Sequence, residues 1–197
     1  MAESLRIERR LGEDIAPVMA DIAQLRLQIF REWPYLYAGD EALERDYLSR
    51  SLGSPRALAV LAWAGAHMVG AATAMPMGDE DEHLRQPVAA AGFDPRRVFY
   101  FGESVLLPRF RGQGYGGRFL GEREEHARGL GYAWSAFCAV ERSAADPRRP
   151  ADWLPLDAFW RRRNYTPSDA TTTFVWKEVG EGVATDKLMR FWFKSLA

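Results

Sequence analysis

One short stretch, Arg111 to Gly117 (RGQGYGG), constrains this chain more than any other. The segment before it, Val98 to Leu107 (VFYFGESVLL), is rich in β-branched and aromatic residues and stops at Pro108, so it reads as a strand. The segment after it, Gly116 to Leu130, places Phe119, Leu120, Ala127 and Leu130 on one helical face and Arg118, Glu122, Arg123 and Glu125 on the other. Gly129 and Gly131 suit the helix end. A strand, a glycine turn and a helix start aim several backbone N–H groups at one point beside the positive end of the helix dipole, the geometry that holds a pyrophosphate. Glycine supplies the positive φ and the close approach this requires.

Three phosphate-binding patterns compete for the run. A Walker loop needs a lysine and a hydroxyl after its last glycine, and Arg118 and Phe119 stand there instead. A dinucleotide fingerprint, GxGxxG, is matched by Gly112, Gly114 and Gly117, with Glu141 as the ribose-binding acid. Against it, Pro108 to Arg111 separates strand from first glycine, and too little chain follows Glu141 for further βαβ units. The third pattern, Arg/Gln-x-x-Gly-x-Gly/Ala, is matched by Arg111, Gly114 and Gly116 after a strand and a proline and before a helix. That local match, VLLPRFRGQGYGGRFL, resembles the signature of the GNAT superfamily of acetyl-CoA-dependent N-acetyltransferases.

The rest of the chain is consistent with such a protein. With 197 residues, 47% of them hydrophobic, and no linker, the chain is expected to form one domain over 1–197. Its net charge of −1 argues against general nucleic-acid binding. Cys138 is the only cysteine, and MAESLRIE lacks the apolar core of a secretory signal, so a cytoplasmic location is expected. The apolar run Ala57 to Met77 is long enough to suggest a membrane span, but Gly65 sits in a turn at Ala64 to His67 that divides it into two strands of a buried hairpin. No membrane association is expected.

Along the chain the patterning predicts a strand at Ser4 to Arg10 and helices at Ile15 to Phe30 and Asp40 to Ser51, with an aromatic loop between them. The hairpin follows, then an acidic segment with a short helix at Glu82 to Ala90, then the motif strand and helix. A strand at Tyr132 to Val140, parallel to the motif strand, precedes the loop Glu141 to Pro155 and a helix at Leu156 to Arg163. Thr171 to Lys177 and Lys187 to Lys194 close the chain as strands. This order matches GNAT architecture: an α/β fold with a mixed, mostly antiparallel central sheet, a splayed parallel strand pair and flanking helices.

The resemblance implies a set of roles. The loop Arg111, Gly112, Gln113, Gly114, Tyr115, Gly116 and Gly117 would bind the pyrophosphate of acetyl-CoA, Arg109 could add a charge, and the backbone of Val105, Leu106 and Leu107 would meet the pantetheine. Glu103, the only acid of its strand, would be general base or amine-orienting carboxylate, unless it merely faces outward or pairs with an arginine. Glu32, Tyr35 and Tyr37, with Asp40 and Glu41, lie in the segment that covers the acceptor, a primary amine of a small molecule. Trp160 stands where the family often has its general-acid tyrosine, and Tyr165 is expected to pack. That departure keeps a non-catalytic CoA-binding sensor open as an alternative to the enzyme. Cys138 reads as packing, His67, His83 and His126 are too scattered for a metal, and no metal is expected. The arginines around FWRRR, with Arg148 and Arg149, suit a phosphate anchor or a solvated face. The C-terminal FWF aromatics fit a homodimer contact or core packing equally.

Overall fold

The computed structural model describes residues 4–197. Seven strands form one sheet in the order β1-β2-β3-β4-β5-β7-β6. The strands are β1 (Arg6–Leu11), β2 (Leu58–Ala64), β3 (His67–Pro76), β4 (Val98–Leu106), β5 (Trp134–Val140), β6 (Thr166–Lys177) and β7 (Ala184–Ser195). Every neighbouring pair is antiparallel except β4 and β5. Such a sheet has no room for a dinucleotide-binding domain, which requires a mostly parallel one. The run at Ala57 to Met77 is the hairpin β2–β3, and no helix among the described residues is long and apolar enough to cross a membrane.

Helices α1 (Met19–Phe30), α2 (Glu41–Ser51) and α3 (Glu82–Ala90) cover one face of the sheet. The motif helix α4 (Tyr115–Gly129) and the short α5 (Asp157–Arg161) cover the other. Asp40 caps α2, its Oδ1 accepting from the N–H groups of Ala42 and Leu43. The expected helix from Ile15 begins instead as a 3-10 segment, Gly12–Val18, because Pro17 has no N–H to donate and resists an α-helical turn before it. Strand β6 starts five residues earlier than expected. Its ladder with β7 shifts register between Pro167 and Thr171, and the interruption hides the start from a period-two reading. Phe191, Trp192 and Phe193 of β7 are all buried, so they offer no exposed dimer contact.

The helix α4 departs from the expected polar face in an informative way. Leu130 is exposed, whereas Arg123 is 1% exposed and Glu124 is buried. Strand β4 carries a bulge opposite Thr73, where Gly102 and Glu103 face that one residue of β3. Arg123 reaches this point and donates to the carbonyls of Thr73 (3.0 Å) and Glu103 (3.3 Å) and to Ser104 Oγ (2.6 Å). Its guanidinium also lies 4.4 Å from the Phe101 ring centre. Burial pushes the Arg123 pKa down to about 10, still ionised at neutral pH. Replacing it by methionine should destabilise the protein by roughly 3 kcal/mol, because buried carbonyls lose their donors. Denaturant unfolding reads this directly, and a change under about 0.5 kcal/mol would remove the clamp from the account.

Candidate functional site

The β4–β5 ladder contains only Val98 with Trp134, Phe99 with Ser135 and Tyr100 with Ala136. Beyond Tyr100 the two strands separate, and a cavity of about 700 Å3 opens between them, within the usual range for small-molecule sites. Gly102, Glu103, Ser104 and Leu106 of β4 form one wall, and Phe137, Cys138 and Ala139 of β5 the other. The cavity extends to the glycine turn, where Arg111, Gly112, Gly114, Gly116 and Gly117 line it.

The turn has the equipment for an anion. Gly112 and Gly114 hold φ values of +77° and +90°, and a Cβ on either would meet no atom within 4 Å. Gly114 precedes α4 without any side-chain cap, so the N–H groups of the first turn have no partner within the helix. A Cβ on Gly117 would lie 2.6 Å from Arg163, so the missing side chain lets that guanidinium lie across the helix start. Arg163 stacks on Phe159 at 3.8 Å and, with Arg162, lines the cavity. Uncapped amides beside several guanidiniums fit a pyrophosphate. Arg111 donates to the Leu106 carbonyl (3.0 Å) and pairs with Glu32 at 3.2 Å, linking the turn to the loop after α1. Arg109 lies over Phe110 and does not line the cavity.

Of Val105, Leu106 and Leu107, expected to meet a ligand through their backbone, only Leu106 turns away from β3; its carbonyl accepts from Arg111, which leaves its N–H for a ligand. Leu107 N–H donates to Val69 across the ladder (2.9 Å), and by antiparallel alternation Val105 also turns its backbone to β3. Gln113 and Tyr115 keep their side chains out of the cavity. The Gln113 amide bonds the Arg109 carbonyl, and Tyr115 hydroxyl accepts from Leu5 N–H.

Glu103 lines the cavity and is 5% exposed. Arg26 Nη1 donates to its Oε2 (2.6 Å) and Thr73 Oγ1 to its Oε1 (2.8 Å). Arg26 also pairs with Glu44, leaving two carboxylates on one buried guanidinium. Burial opposes the Arg26 charge, but Glu103 foremost among its anionic neighbours overrides this and raises its pKa. Arg26 follows Ile22 by four residues on the apolar side of α1, whereas Arg123 was expected on the polar face of α4 and is buried instead.

Glu32 and Tyr35 line the cavity; Tyr37 does not. Its backbone bridges to Glu178, and its ring packs over Gly39, where any Cβ would collide. Burial raises the pKa of both phenols. Cys138 lines the cavity with a thiol pushed up to about 12 by burial, so it stays protonated and is a poor nucleophile at neutral pH. Trp160 packs on Trp192 and Phe137, and Tyr165 hydroxyl is buried against Ser135 and Glu124, which leaves no tyrosine acid at either position. Glu141 pairs with Arg190. His126 packs on Phe99 with its Nε2 buried and unbonded, and no metal-binding cluster occurs among the described residues. Glu80, pushed up to about 7 by burial, lies outside the cavity lining.

The Arg111–Glu32 pair competes with any anion at the turn. Replacing Glu32 by glutamine is expected to tighten binding of ADP, a pyrophosphate probe, by up to about fivefold. Calorimetric titration at low salt measures this, and weaker binding in the variant would contradict it.

The sequence matches no protein-family model and no curated protein. Solved structures resemble it in fold. A GNAT-family acetyltransferase from Streptococcus pneumoniae aligns over 98% of this chain and 99% of its own with a TM-score of 0.56 at 13% identity. A ribosomal-protein-alanine N-acetyltransferase from Brucella melitensis aligns over 97% and 99%, with a TM-score of 0.57 at 17% identity. The Salmonella typhimurium protein yncA, solved with its cofactor acetyl-CoA, aligns over 98% and 95%, with a TM-score of 0.55 at 15% identity. The chain has the fold of these acetyltransferases.

Proposed function

We propose that the chain is an N-acetyltransferase that moves acetyl from acetyl-CoA to a primary amine of a small molecule. The observation that carries this reading is the early end of the β4–β5 ladder, which opens one continuous cavity from the uncapped glycine turn to Glu103. When bound, acetyl-CoA supplies an acyl carbon attached to a thiolate leaving group. The amides and guanidiniums around Gly112 to Gly117 hold its pyrophosphate, and the Leu106 backbone aligns its arm. Glu103, fixed by Arg26 and Thr73, orients the incoming amine and accepts its proton through a water molecule. In the overall exchange a C–N bond forms, the C–S bond breaks, and the thiolate takes a proton from solvent.

The sensor alternative is favoured by one observation, the absence of a tyrosine hydroxyl at Trp160. Release of free thiol from acetyl-CoA with a panel of amines separates the two, since a sensor binds without releasing thiol. With an active amine, Glu103→Gln should lower kcat by about a hundredfold or more while acetyl-CoA affinity stays within about twofold. Retained affinity shows that the variant is folded despite losing a buried charge. Unchanged turnover would remove Glu103 from the mechanism.

A further inference from the structure

Beside the β5 wall the cleft adjoins a second chamber of about 810 Å3, and Trp33, Tyr35, Trp153 and Trp160 belong to the walls of both. No residue of the glycine turn lines it, so the pyrophosphate site lies elsewhere. Four indoles, Trp33, Trp153, Trp160 and Trp192, stand among its apolar walls. Trp33 meets Trp153 edge-on at 6.0 Å, and Trp160 meets Trp192 at 5.0 Å.

The polar equipment has a predominant sign. The lining holds four arginines against two carboxylates, Glu141 and Asp157. Arg142 and Arg190 are neutralised by Glu178 and Glu141. Arg149 and Arg161 instead lie over the rings of Trp153 and Trp192, each at 5.3 Å, with no carboxylate in ion-pair reach among the described residues. A guanidinium stacked on an indole keeps its edge N–H groups free for a carboxylate.

We propose that this chamber receives the body of the acceptor, an aromatic amine that also carries a carboxylate, as an aromatic amino acid does. The ring lies among the indoles, Arg149 and Arg161 hold the acid, and the amine faces the cleft. Its role as acceptor rests on the acetyltransferase reading; the binding site does not.

The test is calorimetric titration with L-phenylalanine, 3-phenylpropanoate, which lacks the amine, and 2-phenylethylamine, which lacks the acid, each with and without CoA. Both acids should bind at least about tenfold more tightly than the amine. An Arg149→Gln, Arg161→Gln double variant should erase that difference. The proposal is overturned if the amine binds as tightly as the acids, if no probe binds, or if the preference survives in the double variant. It is also overturned if that variant loses affinity for CoA but not for dephospho-CoA, since the arginines would then hold the cosubstrate's phosphate. Thiol release with phenylalanine reports on the acetyltransferase reading separately. Carboxylate-dependent binding without release would sustain the chamber and overturn its use as an acceptor site.

Discussion

The bulge at Thr73 is held from both faces of the sheet by arginine. From the α4 side Arg123 satisfies the carbonyls that the irregular ladder leaves over, and from the α1 side Arg26 grips the Glu103 carboxylate. The extra residue changes the alternation of β4. Phe101 packs toward α4 and Ser104 meets Arg123 on that same side, so Glu103 between them turns toward α1. Without the bulge, strict period two would set Glu103 on the face of Phe101. One inserted residue therefore decides which side of the sheet presents the carboxylate. Gly102 is required there, since a Cβ would lie 2.7 Å from Thr73 Oγ1.

The bulge lies just past the last β4–β5 pair, Tyr100 with Ala136. From there onward the backbone of β4 that faces β5 has no strand to pair with, and an extended ligand arm can take its place. The aromatic loop after α1 is tied to the end of β6 and β7 by the bonds of Ala38 to Lys177 and of Val179 to Leu36. Glu178, held by Arg142, Arg148 and Lys187, anchors that junction. The loop therefore presents Trp33 and Tyr35 to the cavity from a fixed support. Turn, opened strand pair and aromatic loop converge because three elements distant in sequence are each fastened to the sheet.

Sequence made the scaffold legible wherever one residue type leaves few options. Pro108 and the glycines placed the turn, Gly65 divided the apolar hairpin, and Asp40 marked the start of α2. The buried arginines were hidden by their charge, because a guanidinium on an amphipathic helix ordinarily faces water. Arg123 is inside because the bulge leaves carbonyls that need a donor, a long-range demand that no local pattern carries. Glu103 stood out as an isolated acid in an apolar strand, yet its partners Arg26 and Thr73 come from elements 77 and 30 residues away. The side chamber was hidden for the same reason, since its indoles come from four separate segments.

The opened strand pair and the glycine turn are proposed to form a site for CoA. Thermal unfolding of the protein with saturating acetyl-CoA, CoA, NAD or NADP tests it most directly, because a ligand that binds only the folded state must raise its stability. At a hundredfold excess over Kd the gain is about 2.7 kcal/mol, or roughly 5 to 10 °C for a chain of this size. The account predicts that rise with acetyl-CoA and CoA and none with either dinucleotide. A rise with a dinucleotide alone, or none with CoA, would contradict it.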